Sequence, residues 1–151
     1  MEEWKMKPEF SFYYGEKQYV LSGWGGAFYN AIFQTMDDRD FAWAKKITEE
    51  YRKIRNYFSK DFYNHGSGSA DSTAWAIWQY HDPEAHRGIV MAFRRCDSPF
   101  GQVTVDLKGL GAEKVYAYQS LDTGERTEGE PLLTICLPEK RSSTIVEYFA
   151  K

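Results

Sequence analysis

"DFYNHGSGSADSTAWAIWQYHDPEAHRG", residues 61–88, carries all three histidines of the chain (His65, His81 and His86), the Gly-Ser run Gly66–Ser69 and two of the five tryptophans. The periodicity of the chain changes across it. Upstream, Trp43, Ile47, Tyr51, Ile54 and Phe58 recur every three or four residues and draw one apolar stripe along a helix. Asp37 or Asp38 is placed to cap that helix, Asp40 suits its first turn, and Lys53 and Arg55 suit its last. A shorter helix is predicted over 27–35, entered through Gly23, Gly25 and Gly26. Downstream of the Gly-Ser run the period becomes two.

Six strand-like runs follow: "TAWAIWQYH", "GIVMAFRR", "QVTVDLKGL", "KVYAYQSL", "PLLTICLP" and "STIVEYF". Turn residues separate them and no helix intervenes, which argues for antiparallel pairing. The predicted fold is mainly β with N-terminal helices. Residues 1–62 form a helical segment, and residues 63–151 form an antiparallel β-sandwich packed on the long helix. Within "AWAIWQYH", Trp78 and Tyr80 share one face and Trp75 takes the other. One face meets the sandwich core. The other meets either the helix, through an interface of Tyr51, Ile54, Phe58, Trp75 and Trp78, or a sugar, with Trp75, Trp78 and Tyr80 as stacking candidates.

Composition narrows the function classes. At 151 residues the chain has the size of one domain, or of a domain and a fragment, and 42% hydrophobic residues suffice for a sizeable core. The aromatic content of 17% suits a β core or a sugar-binding face. A net charge of −3 supplies no basic field for a phosphate backbone, so nucleic acid is not an expected partner. No apolar run is long enough to span a membrane, and "MEEWKMKPEFSFYY" has no signal-peptide pattern. Localisation stays open.

No candidate chemistry survives inspection of the motifs. "HGSGSAD" departs from the G-x-S-x-G elbow, and no helix follows it. His81 and His86 flank a turn beside Asp82, with His65 apart from them, and no recognised metal spacing is present. These histidines read as exposed turn residues. Asp37, Asp38 and Asp40 read as capping residues, and Glu49 and Glu50 as a solvated helix face, so nothing pairs two carboxylates across a cleft. Cys96 and Cys136 read as buried free thiols, or as a disulfide between neighbouring strands. No catalytic residue, cofactor or metal is expected.

Three stretches, taken in order, resemble a known family. They are "ITEEYRKIRNYFSKDFY" (47–63), the run from "DSTAWAIWQYHDPEAHRG" through "VYAYQSLDTGE" (71–125), and "LTICLPEKRSSTIVEYF" (133–149). Together they resemble the C-terminal end of glycoside hydrolase family 36 and related α-galactosidase-like enzymes. The resemblance implies an N-terminal β domain, a (β/α)8 catalytic barrel and a C-terminal antiparallel β domain. On that reading, residues 1–62 correspond to the end of the barrel with its last helix, and 63–151 to the C-terminal domain. The family hydrolyses terminal α-galactosides with retention, through two aspartates on earlier barrel strands. No position here matches either motif, so no catalytic residue is carried over. The expected role is a non-catalytic accessory region whose partner is the catalytic barrel. The alternative is a stand-alone carbohydrate-binding β-sandwich.

Overall fold

The computed structural model describes residues 38–66 and 71–151, which fall in two compact units divided between Phe58 and Ser59. The expected helix over 27–35 and its glycine entry lie outside the described residues, as do Asp37 and the side chains of Trp43 and Ile47.

In the first unit, α1 spans Asp38–Ile54, with Arg52 and Lys53 in its last turn where cations favour the helix dipole. A 3-10 turn, Arg55–Ser59, follows. Arg55, expected in the last α-helical turn, and Phe58, expected to end the apolar stripe, therefore lie beyond the α-helix. The tighter winding still brings the rings of Tyr51 and Phe58 to 5.9 Å. Ile54 and Tyr57 are buried.

Among its described residues, the regular structure of the second unit is antiparallel strands. They are β1 (Asp61–Asn64), β2 (Ala76–Asp82), β3 (Arg87–Arg94), β4 (Gln102–Asp106), β5 (Tyr116–Ser120), β6 (Arg126–Gly129), β7 (Leu132–Cys136) and β8 (Ser142–Ala150). Six of them make one sheet in the order β1-β2-β3-β8-β5-β6, and β4 pairs with β7 in a second. Two strands exceed the sequence expectation. β1 straddles the end of the segment expected to be helical, and β6 lies between two expected strands, where only turn residues are expected. Both are four-residue edge strands, too short and too polar to show a clear alternation. β1 pairs Phe62 with Tyr80 and Asn64 with Trp78, so the β unit begins ahead of the expected division at residues 62 and 63.

The two sheets share one core. Ile77, Val90, Ala92, Tyr116, Tyr118, Val146 and Tyr148 from the large sheet meet Val105, Leu133 and Ile135 from the small one. β3 and β8 occupy the middle of the large sheet. There the other face is apolar too: Ile89, Met91, Phe93 and Ile145 alternate with the core residues and are at most 1% exposed. This is why "GIVMAF" reads as an unbroken apolar run.

Buried polar groups pin the small sheet to the large one. The Arg94 guanidinium donates from Nη1 to the carbonyls of Leu137 and Pro138, at 2.8 and 2.6 Å, and from Nη2 to Ser98 at 3.0 Å. The Trp75 indole N–H donates to the Phe100 carbonyl at 3.0 Å, and the Tyr118 hydroxyl to the Glu130 carbonyl at 2.6 Å. Burial, with the neighbouring Tyr116, pushes the Tyr118 phenol up to about 12.

Candidate functional site

The three histidines, read from the sequence as exposed turn residues, part company in the structure. Side chains alternate along β2, so Ile77, Gln79 and His81 enter the core side while Trp78, Tyr80 and Asp82 take the other face. His81 is 2% exposed and Gln79 and Tyr148 are fully buried. Gln79 is the hub. Its Oε1 accepts from His65 Nε2 at 2.7 Å and from the Lys108 N–H at 2.9 Å. Its Nε2 donates to the Lys108 carbonyl at 2.7 Å and to the Tyr148 hydroxyl at 2.8 Å. The Tyr148 hydroxyl lies 3.1 Å from His81 Nδ1. The Tyr148 hydroxyl already accepts from Gln79, so its own proton is placed to go to Nδ1, which leaves the His81 proton on Nε2. That Nε2 is buried without a partner among the described residues. Burial pushes the His81 pKa down, against the pull of Asp61 and Asp82.

Two glycines shape this network. Gly109, at φ 75°, folds the loop after β4 over the His81 ring, and a Cβ there would stand 2.9 Å from His81 Cδ2. Gly88 sits opposite His81 on β3, where a Cβ would lie 2.2 Å from the Tyr80 carbonyl and 2.4 Å from the Tyr148 hydroxyl. The imidazole–phenol pair is chemically an acid and a base, but it is closed to any substrate. Its role is to join β2, β8 and the 108–111 loop.

His86 adopts φ 51° in the turn between β2 and β3 and is exposed. Asp82 builds that turn, accepting at Oδ1 from the N–H groups of Glu84 and Ala85, while Lys60 holds Oδ2 at 3.0 Å. The Lys60 hydrogen bond, followed by that from Ala85, holds the Asp82 carboxyl below the usual carboxylate range. Among the described residues no three His, Cys, Asp or Glu side chains form a group able to hold a metal. The cysteines also differ from expectation. Cys96 lies in a turn and is half-buried, and Cys136 is exposed at the end of β7; both are free thiols.

The aromatic candidates separate in the same way. Trp75 belongs to the shared core, packed with Ile77 and Val90, so its ring offers no face to a sugar and none to a partner beyond the large sheet. Trp78 lies on the opposite face with its ring 5.4 Å from Phe93. Tyr80, on that face, meets Phe62 at 5.1 Å. Phe62 is 52% exposed and was not among the sequence candidates. The Phe62 and Tyr80 rings are tilted by 47°, which is not the coplanar platform that a sugar ring stacks on.

The network residues Gln79 and Tyr148 were missed, although a signal existed. In "WQYH" the polar residues sit at i and i+2, so a strand must bury both or expose both.

No family model and no curated protein matches the chain. Among solved structures, it is similar to the GH36 α-galactosidase AgaA from Geobacillus stearothermophilus, crystallised as a doubly substituted form in complex with raffinose. The TM-score is 0.57 and the identity 17%, over 78% of this chain and 17% of that chain. The likeness is one of fold, and this chain spans about a sixth of that enzyme's length.

Proposed function

We propose that this chain is a C-terminal accessory region of an α-galactosidase-like retaining glycoside hydrolase, and that its β unit is the C-terminal sandwich domain. The fold likeness to a segment of a family 36 enzyme carries the proposal, since it matches most of this chain and only a small part of the enzyme. The family-like order of the strand and turn motifs in residues 47–149 supports it. On this reading the chain supplies no catalytic carboxylate, and its partner is a catalytic barrel. The purified chain should not hydrolyse an aryl α-galactoside. Hydrolysis abolished by a single Asp or Glu substitution within residues 1–151 would overturn the proposal. In-frame sequencing upstream of the Met1 codon provides the positive test, since a barrel-sized coding region is expected there.

The proposal extends to the second face of the large sheet. A face bearing Trp78, Ile89, Met91, Phe93 and Ile145 requires a cover. We assign that role to the preceding helical segment, through Tyr51, Ile54 and Phe58. The competing reading, a free-standing carbohydrate-binding module, draws on the exposed Phe62 beside Tyr80. Titration with galactosides and monitoring of tryptophan fluorescence separates the two, because a binding module would show saturable quenching.

A further inference from the structure

An open groove of about 420 Å³ lies within the β unit, between the free side of β7 and the β5–β6 hairpin with β8. Its floor is apolar, with Tyr118, Leu133 and Val146, and its rim carries Asp122 and Glu125. Among the described residues, no Lys, Arg or His lines it.

The backbone register shows which groups of β7 face the groove. Leu137 N–H donates to Gly101 and Leu107 N–H to Pro131, so the hydrogen-bonded pairs of the β4–β7 ladder are the odd-numbered residues. Leu133 and Ile135 therefore bond to β4. The N–H and C=O groups of Thr134 and Cys136 point the other way, and have no backbone partner among the described residues. Both residues line the groove. The strand "LLTIC" has none of the devices that protect an edge, such as a charge, a proline or a bulge. Among the described residues the small sheet has two strands, the least stable sheet size, and a third would extend it.

We propose that the free edge of β7 takes up an extended, basic peptide segment as a third strand. The peptide backbone pairs with Thr134 and Cys136. Alternate side chains cover the apolar floor or lie along the rim, where Asp122 and Glu125 favour Lys or Arg. This differs from the accessory-domain reading and does not depend on it, because the groove lies on the core side of the large sheet's far edge.

The test uses the full chain labelled with 15N. The probe is an acetylated, amidated heptapeptide alternating valine and lysine. Its controls are the glutamate counterpart and two forms N-methylated at alternate amides, one in each register. Expected results are saturable shifts at the Thr134 and Cys136 amides, weakening with salt, and loss of binding for one N-methylated register only. Thr134→Pro removes an N–H that the β4 ladder does not use, so the fold should persist while binding falls at least tenfold. Glu125→Lys should weaken binding several-fold, and with the N-methylated probes it decides the matter should Thr134→Pro not fold. The proposal is overturned by the absence of saturable binding, by equal binding of the glutamate probe, or by indifference to both N-methylated registers. A concentration-dependent dimer abolished by Thr134→Pro would also overturn it, giving the edge to a second copy.

Discussion

Gly88 shows how closely the buried polar network is fitted. A methyl group there meets the Tyr80 carbonyl and the Tyr148 hydroxyl well inside contact distance, and one of the two belongs to the neighbouring strand's backbone. Gly88→Ala should cost about 3 kcal/mol or more, the upper end of overpacking costs, measured by urea unfolding. His81 makes a second prediction. Its pKa is depressed in the folded chain, chiefly by burial, relative to about 6.5 in an unfolded one. Its contribution is therefore intact above pH ~6.5 and is lost as pH falls below that value toward the folded pKa, because the unfolded state takes up the proton first. Melting temperatures from pH 8 to 5 should fall for the native chain more steeply than for His81→Gln. Equal slopes would mean that His81 takes up its proton equally in both states. At this scale much stayed hidden in the sequence. The alternation of β2 placed Trp75 opposite Trp78 and Tyr80, but identity alone could not say that Gln79 and His81 would find hydrogen-bond partners. Those partners, Tyr148 and Lys108, are supplied by β8 and the loop after β4, far along the chain.

Elements were more legible where their period was long. The α1 helix starts at Asp38, one of the two expected caps, and six of the eight strands among the described residues fall inside the expected runs or overrun them by one residue at an end. The helix end was less legible, since a stripe spaced by three and four is equally served by a final 3-10 turn. The two missed strands are four-residue edges, too short for period two to register, and β6 carries turn-like residues. The groove was illegible for a related reason. It depends on hydrogen-bond parity along β7, which no side chain announces. The end of α1 yields the element-scale prediction. Ile54 is its last residue and is 1% exposed. Ile54→Ala should cost ~2–5 kcal/mol by denaturant titration, the range for truncating a buried aliphatic chain. A change below about 0.5 kcal/mol would place Ile54 among ordinary surface positions and remove the helix from any packed interface.

For the molecule as a whole, the central question is what the large sheet's second face is for. A sheet with one wet face alternates polar and apolar residues, whereas β3 is apolar at both parities from Ile89 to Phe93. Trp78 joins this face through Phe93, and Tyr80 extends it to Phe62 at the β1 edge. A sugar would need coplanar exposed rings, and the Phe62–Tyr80 tilt does not provide them. A helix needs an apolar face of this breadth, because tertiary burial rather than propensity holds a helix of 17 residues. The proposal that the two units pack through this face therefore makes a prediction that neither unit makes alone. Ile54→Ala and Trp78→Ala should each destabilise, and together by an amount that departs from their sum by at least about 0.5 kcal/mol, the threshold at which neighbouring sites are distinguished from independent ones. Trp75→Phe is the control. Its ring lies in the shared core on the other side of the sheet, so it should be additive with Ile54→Ala even though it is costly by itself. Additivity in both pairs, with two separate unfolding transitions, would show that the helical unit and the β unit fold independently and that another partner covers the sheet.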